Sequence, residues 1–325
     1  MRWAAGWARF LFWRIAQGAV VLLVISAIVF FMFFVAPHNV ARLIAGKQAT
    51  QQTVALVAAR LGLNRPAIDQ YGSFLWGLLH GQLGYSFYNS ESVRTLIAQR
   101  LPVTASVAGG AAVIWLALGI SSGVLAATRP RSIADRAVTV AVLTFYSMPT
   151  FLLGLLFLYL LFFQLHLAGI DFFPGSGYVS LAQSPLSWAQ HLILPWFTVA
   201  LVTATTYSRL TRGSLLDILG EDYIRTARAS GLTERRVTYR HGLRAALAPV
   251  VTQFGIDLGT LLGGAIVTEN IFGLPGLGAL AVQSVTDEDL PVIVGLVLVA
   301  SAFIVVANIA VDITYAILDP RVRMK

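Results

Sequence analysis

Six long apolar runs constrain this chain more than any other feature of its sequence. A helix needs about 20 apolar residues to cross the roughly 30 Å hydrocarbon core of a bilayer. Runs of about that length occupy Ile15–Ala36, Val103–Ala127, Ala137–Leu165, Leu192–Tyr207, Ala246–Thr268 and Leu290–Ala316. Strands with open edges leave backbone groups unpaired in lipid, and the runs are too long for barrel strands. The sequence therefore predicts an all-α integral membrane protein with six transmembrane helices.

The composition agrees with membrane lipid as the main solvent. Apolar residues make up 57% of the 325 residues and charged residues only 12%, far from the soluble norm. A net charge of +8 would suggest nucleic acid in a soluble chain, but here the placement of the cations matters more, and no nucleic-acid partner is predicted. The sequence has no cysteine, which excludes disulfides, and its five histidines show no metal-ligand spacing.

Most Lys and Arg residues fall in four segments that flank the runs. Cations near the ends of spans are retained in the cytoplasm, so their placement indicates the orientation of the chain. They are Arg2, Arg9, Arg14, Arg129, Arg131, Arg136, Arg209, Arg212, Arg225, Arg228, Arg235, Arg236, Arg240, Arg244, Arg321, Arg323 and Lys325. The short segments on the other side carry the acids Asp171, Glu269, Asp287, Glu288 and Asp289. Both termini are therefore predicted to be cytoplasmic.

The segment 37–100, on the predicted outer side, mixes polar residues with aromatic ones. Its aromatic residues suit the membrane interface, and a small helical cap on the bilayer surface is predicted. They are Tyr71, Phe74, Trp76, Tyr85, Phe87 and Tyr88. Two interpretations stay open: a docking surface for an outside partner, or a packed segment that binds no ligand.

The cytoplasmic segment 209–245 is polar and rich in arginine. Ser214, three residues before Asp217, resembles the start of a helix, and Glu221 and Asp222 suit the N-terminus of another. Gly231 is placed to end that short helix, and Thr233 to cap a second one. A helix, a glycine and a second helix fit a knob that enters a partner's groove. A basic stretch that contacts anionic lipid is the alternative.

Several stretches resemble one family. Residues 222–231, DYIRTARASG, and the following LTERRVTYRHGLRAALAPVV resemble the cytoplasmic "EAA" loop of ABC-importer permeases, in the dipeptide, oligopeptide and nickel branch. Similar matches are LGLNRP at 61–66, GQLGYS at 81–86, TENIFGLPGLG at 268–278 and VDITYAILDPRVR at 311–323. They cover nearly the whole chain in the right order. The resemblance implies a type I importer permease fold in the inner membrane of a prokaryote.

The resemblance also implies partners and a coupling site. In that family the loop is a coupling helix that inserts into an ATPase subunit. Partners would be a second, homologous permease, two ATPase subunits and an extracytoplasmic binding protein. The implied coupling residues are Asp222, Tyr223, Arg225, Thr226, Ala227, Arg228, Ala229, Gly231, Arg235 and Arg236. Arg225 stands where the broader superfamily more often has Glu, and Pro249 replaces a proline expected near Arg244.

No nucleotide-binding motif is present in the sequence. A GxxxxGK[ST] loop does not occur, and the one Gly-Lys pair, Gly46–Lys47, is followed by Gln. ATP and Mg are therefore expected on the partner ATPase subunits. The chain itself is predicted to be a non-catalytic subunit that binds no cofactor.

Two acids lie within the apolar runs. Asp257 is near the middle of the fifth run, where a carboxylate needs water or a partner. It is interpreted either as a pathway residue that meets a substrate amino group or as a hydrogen-bonded acid packed against a neighbouring helix. Asp312, near the inner end of the sixth run, is predicted to be a structural partner of a loop cation.

Small residues mark the fifth run and its outer end. Gly255, Gly259 and Gly263 repeat every four residues, which predicts close packing against another helix. For the turn-rich segment that follows, the resemblance implies an outer gate or a scoop-shaped loop, and a plain turn is the alternative. Its candidate gate residues are Glu269, Asn270, Phe272 and Pro275.

Three classes of function are compatible with a membrane chain of this kind. The favoured one is the permease subunit of an ATP-driven importer of dipeptides or oligopeptides, with nickel chelates, haem or glutathione as alternative cargo. A secondary transporter predicts inverted repeats and paired broken helices, and an intramembrane enzyme predicts facing catalytic groups. The predicted organisation is an anchor at 1–36, an outer segment at 37–100, and a five-helix core at 101–325 that contains the coupling loop 209–245.

Overall fold

The computed structural model describes residues 2–35, 41–42, 49–60 and 64–318. Within them the chain is helical, and an isolated bridge between Tyr85 and Ser92 is the one β-type pairing. The first six helices are α1 (Arg2–Phe30, continued as a π-helix over Phe31–Val35), α2 (Gln51–Arg60), α3 (Ala67–Leu79), α4 (Val93–Thr128), α5 (Ile133–Ser147) and α6 (Thr150–Leu167). The others are α7 (Pro185–Leu219), α8 (Asp222–Ala229), α9 (Glu234–Ala246), α10 (Ala248–Leu262), α11 (Ile266–Ile271), α12 (Leu277–Thr286) and α13 (Leu290–Leu318).

Five described helices, α1, α4, α6, α7 and α13, are long and apolar enough to cross a membrane. Helices α9 and α10 meet at a bend of 48° and together supply a sixth span. The all-α, six-span fold class is therefore confirmed. The predicted end of the first span at Ala36, and the cations Arg321, Arg323 and Lys325, lie outside the described residues.

Three predicted span boundaries are wrong. The third run is not one helix, because Pro149 disfavours helical backbone at the preceding residue, and Met148 is extended with ψ 123°. The run splits there into α5 and α6. The fourth span is much longer than Leu192–Tyr207, since α7 continues through Arg209 and Arg212 to Leu219. The fifth run is interrupted at both ends, by the bend before α10 and by the break between α10 and α11.

The core lies along α4 and α7, which pack side by side. A Cβ atom at Gly119 would lie 2.4 Å from the Cβ of Tyr207, and one at Gly123 would lie 2.6 Å from the Cβ of Thr211. Small residues thus let the two helices approach closely. Trp115 and Tyr207 are completely buried beside this contact.

The glycine stripe of α10 packs against α13, as predicted. A Cβ atom at Gly259 would lie 3.0 Å from the Cα of Ile304, and one at Gly263 would lie 2.9 Å from the Cβ of Ala300. Gly255 faces Val311 in the same way. The stripe therefore fixes the last two spans together.

Replacing Gly259 by Leu is expected to separate α10 from α13. The added side chain overlaps backbone atoms that cannot move without shifting a whole helix, a cost of about 1–3 kcal/mol. Gly109→Leu is the matched control, because a Cβ atom there meets nothing within 4 Å. Thermal unfolding of the purified chain should show a clearly lower unfolding temperature for Gly259→Leu and little change for the control. Equal losses would contradict the packing assignment.

Within the outer segment 37–100 the structure describes α2, α3 and the start of α4, and a turn-rich stretch over 80–92 joins α3 to α4. Tyr71 of α3 contacts α1 directly: its hydroxyl donates to the carbonyl of Leu23 at 3.1 Å and lies 2.9 Å from the hydroxyl of Ser26. The rings of Tyr71 and Phe74 pack against Phe30. These two aromatic residues therefore tie α3 to the first span, while Trp76, Tyr85 and Tyr88 are exposed.

Asp312 of α13 pairs with Arg14, with 3.1 Å between the carboxylate and the guanidinium. Arg14 lies within α1 and not in a loop. The predicted structural pairing of Asp312 is thus found, but the identity of the cation differs from the prediction.

Candidate functional site

The polar segment after α7 forms a short exposed helix, α8. Helix α7 ends at Gly220, and Glu221 occupies the N-cap position of α8 with extended backbone. Asp222 lies in the first turn, where a negative charge suits the helix dipole. The predicted helix start at Ser214 is wrong, because Ser214 lies inside α7. The first part of the predicted loop 209–245 is therefore helix.

Gly231 ends this element, as its position in the sequence predicts. Its φ of +79° lies in the left-handed region that glycine adopts without strain. The N–H of Gly231 donates to the carbonyl of Arg228 at 2.9 Å, and that of Leu232 donates to Ala227 at 3.4 Å. The chain then turns into α9 after Thr233, whose side chain makes no capping bond.

One side chain anchors α8 to the protein. Ile224 is completely buried, and the helix contacts the segment Val237–Gly242. On the same helix, Ala227 is half-buried and Tyr223 is 46% exposed. The other implied coupling residues point to solvent: Asp222, Arg225, Thr226, Arg228, Ala229, Gly231, Arg235 and Arg236 are all exposed. Helix α8 is therefore held by one buried apolar side chain, and most of its remaining surface is polar and exposed to solvent.

Arg228 connects α8 to both neighbouring helices. Its Nε donates to Glu234 of α9 at 2.8 Å, and its NH1 donates to the carbonyl of Leu219 at the end of α7 at 3.3 Å. Arg225, one turn earlier on α8, pairs with Asp222 at 3.3 Å. Burial, and then the charge of Glu221, raise the pKa of Tyr223, so its phenol stays neutral at physiological pH.

A second connection on the same side joins α5 to α7. Both carboxylate oxygens of Asp135 accept from Arg212, at 2.9 and 3.1 Å, and one also accepts the N–H of Arg131 at 2.9 Å. The Ser132 hydroxyl caps α5. The hydrogen bonds from Arg212 and then Arg131 lower the pKa of Asp135 below its ordinary value of 3.8. The sequence gives no sign of this pair, because Arg212 falls in a stretch predicted as a loop, whereas it lies within α7.

Replacing Asp135 by Asn is expected to destabilise the protein equally at about pH 6 and about pH 8. A carboxyl whose pKa is lowered by folding stabilises the fold above its unfolded pKa and loses that contribution as the pH falls through its folded pKa. The difference in the free energy of unfolding between Asp135→Asn and the wild type should therefore shrink only below about pH 4. Asp222→Asn is the control, because its pair with Arg225 is exposed and contributes little. A difference that changes between pH 6 and pH 8 would contradict the assignment.

Asp257 of α10 is a hydrogen-bonded acid. It accepts from the hydroxyl of Tyr207 at 2.9 Å and from the side-chain amide of Gln253 at 2.9 Å. Tyr207 belongs to α7 and is completely buried. This geometry favours the interpretation that Asp257 connects α10 to a neighbouring helix.

Glu269 is the centre of the outer turn-rich segment. It is completely buried, and its carboxylate accepts from the hydroxyl of Thr104 at 2.6 Å and from the N–H of Ala279 at 3.0 Å. The Thr104 hydroxyl in turn accepts the N–H of Leu277 at 2.8 Å. One carboxylate therefore holds α11, α12 and the outer part of α4 together.

The other candidate gate residues lie around Glu269 in different environments. Phe272 is buried, and Pro275 is half-buried. Asn270 is exposed and donates to the carbonyl of Ile266 at 2.8 Å. The segment is thus held in place by the hydrogen bonds of Glu269 to Thr104 and Ala279.

A cleft of about 370 Å³ lies where α6, α7, α10 and α11 meet. Its walls include Thr150, Val199, Thr203 and Gly264. None of these residues was identified as a candidate from the sequence. Pro149 and the pair Gly263–Gly264 were the available signals, since both interrupt apolar runs. Among the described residues there is no group of His, Asp or Glu side chains arranged to hold a metal ion.

The chain is thus a helical protein with several candidate membrane spans and a short exposed helix, α8. Residues 119–324 match the family model described as binding-protein-dependent transport system inner membrane component, and residues 7–108 match the N-terminal model of the same system. The chain belongs to this family. Its fold is that of a type I ABC-importer permease.

Relatives and solved structures agree with this assignment. A Brucella abortus protein named as a peptide transport system permease is 41% identical over 310 residues, 95% of this chain and 97% of that one. The glutathione transport system permease protein GsiC of Salmonella typhi is 38% identical over 305 residues, 94% and 95% of the two chains. A structure of the MetNI methionine ABC transporter in an inward facing conformation matches with a TM-score of 0.54 and 21% identity, over 69% of this chain and 96% of that one.

Proposed function

We propose that this chain is a non-catalytic permease subunit that imports peptides and is driven by ATPase subunits through α8. The observation that carries the proposal is the geometry of α8. It is an eight-residue helix held by one buried side chain, Ile224, and by Arg228, with its remaining polar surface open. A helix that is firmly seated on two spans and exposed on its other sides suits the transfer of a movement from a partner.

The mechanism we propose is mechanical. Closure of the ATPase subunits around ATP and Mg pushes α8, and Arg228 and Ile224 pass the displacement to α7 and α9. The spans then tilt between inward-open and outward-open states. Each ligand shifts this equilibrium only by its differential affinity for the two states. The outer segment around Glu269 acts as the gate at the opposite end.

The assembly and its orientation are part of the proposal. Partners are a second, homologous permease, two ATPase subunits and an extracytoplasmic binding protein in the inner membrane of a prokaryote. Both termini and α8 face the cytoplasm, because the cations of the chain cluster on that side. The segment 37–100 faces the binding protein.

Peptides are the proposed cargo because relatives over almost the full length of the chain are named for peptide and glutathione transport. Glutathione, itself a small peptide, is the second candidate, and the GsiC relative supports it.

Uptake by a reconstituted complex tests the proposal. The chain is co-purified with its associated subunits, placed in vesicles with the binding protein, and supplied with labelled trialanine or glutathione. We expect uptake of at least one of them that requires ATP, Mg and the ATPase subunits. Uptake of either compound by the chain alone, driven by an ion gradient, would contradict the proposal and favour a secondary transporter.

A further inference from the structure

The cleft between α6, α7, α10 and α11 lies beside the middle of a long candidate span. Thr203, on its wall, is close to the midpoint of the long helix α7. Thr150 lies at the inner end of α6, and Gly264 lies at the outer end of α10. The cleft therefore lies beside the middle of α7, where α6 begins and α10 ends.

Two interrupted spans converge on this cleft. The break between α5 and α6 is at Met148–Pro149, directly before Thr150. The break between α10 and α11 includes Gly264, whose φ of +133° only glycine adopts easily. Non-helical backbone at membrane depth is tolerated only where it is buried in protein or lines a water-filled cavity. Both breaks border an open cleft of about 370 Å³, which fits backbone that lines a water-filled cavity.

Its polar groups need an occupant that forms hydrogen bonds. Thr150 and Thr203 are half-buried residues, and neither hydroxyl forms a hydrogen bond with any residue that the structure describes. Elsewhere on α7, Thr198 and Thr205 donate to the backbone at 2.8 and 2.7 Å. An unpaired hydroxyl in apolar surroundings is costly, and lipid tails offer no partner. Water or a polar ligand provides the missing hydrogen-bond partner.

We propose that the transported peptide contacts this chain in the cleft through its uncharged parts. Peptide amide groups bond to Thr150 and Thr203, and apolar side chains pack against Val199 and Leu261. Among the residues that the structure describes, no acidic, basic or histidine side chain lines the cleft, so peptide termini and charged side chains are not fixed there. The inference rests on the proposed function and adds the class of contact that the pathway makes with its cargo.

Single cysteines test the proposal cleanly, because the chain has none of its own. T203C and T150C are prepared in the full complex, with F197C as the control. Phe197 is an exposed residue on a different face of α7. A charged thiol reagent that does not enter lipid is added during ATP turnover, with and without trialanine. We expect trialanine to slow the reaction of T203C and T150C severalfold and to leave F197C unchanged.

Removal of the hydroxyl alone gives a second readout. T203V keeps the shape of the side chain and loses its hydrogen bond, so the trialanine concentration for half-maximal uptake should rise roughly twofold to tenfold. Its maximal rate of ATP hydrolysis should not change. A purely structural role of Thr203 would alter both values or neither.

The outcomes separate the inference from the proposed function. Equal reactivity of T203C with and without trialanine, in a complex that still imports trialanine, would overturn the inference and leave the proposed function intact. No reaction of T203C in either condition would mean that lipid or the second permease fills the cleft, and would overturn it too. Failure of the wild-type complex to import both trialanine and glutathione with ATP would overturn the proposed function and the inference with it.

Discussion

Arg228→Glu will lower ATP-driven uptake at least about tenfold, equivalent to about 1.4 kcal/mol, while membrane insertion stays normal. The substitution places a carboxylate beside Glu234 and removes the donor to the carbonyl of Leu219. Repulsion then turns α8 away from α7 and α9. Because both charges of the original pair are partly exposed, its loss costs little stability. Uptake per ATP hydrolysed is the measurement.

Two further variants make this result specific. Gly231→Trp should have the same effect, since a bulky residue at φ +79° strains the end of α8 by about 1–2 kcal/mol. Arg136→Glu reverses a charge on the nearby helix α5, where the side chain is exposed, and should leave coupling unchanged. Normal transport by both Arg228→Glu and Gly231→Trp would remove α8 from the mechanism.

Glu269→Ala will destabilise the protein by roughly 2–6 kcal/mol. The change leaves the Thr104 hydroxyl and the Ala279 N–H without their acceptor in a buried site, and each unsatisfied group costs about 1–3 kcal/mol. The outer segment should then lose its fixed position. Thermal unfolding in detergent or nanodiscs measures the loss, and limited proteolysis locates it.

Conservative changes distinguish the hydrogen-bond network from simple loss of volume. Glu269→Gln keeps one acceptor oxygen but presents an amide donor to another donor. Its stability should therefore lie between those of the wild type and Glu269→Ala. Thr104→Ser keeps the hydroxyl and should be close to the wild type, whereas Thr104→Val should be clearly less stable. If Thr104→Ser and Thr104→Val behave alike, the hydroxyl has no role in holding the outer segment.

The fold class was predictable because apolar length is the signal that a bilayer imposes. The helix over Asp222–Ala229 and its end at Gly231 were also predictable, since capping and left-handed glycine are local properties. Span boundaries were harder. Nothing local marks α7 as continuing past Tyr207 to Leu219, because the polar part of that helix is stabilised by packing and by Arg212 pairing with Asp135.

The cleft and the pinned outer segment depend on contacts between residues far apart in the chain. Glu269 was recognised as a candidate gate residue, but its partner Thr104 lies 165 positions away. Asp257 drew attention as an acid in an apolar run, and its tyrosine partner comes from another helix. Pro149 and Gly264 are visible as breaks, yet only the folded chain shows that the two breaks meet. Sequence pattern identifies the unusual residue, and packing decides what it contacts.

The contact between α8 and a separate ATPase is the claim on which the account depends most. A single cysteine at Ala229, in a chain that has no other, permits crosslinking of the exposed helix within the assembled complex during ATP turnover. The account predicts a crosslink from A229C to the ATPase subunit, with its yield changing between the nucleotide-free and ATP-bound states. A complex that transports its substrate while A229C forms no crosslink to any ATPase subunit would contradict it.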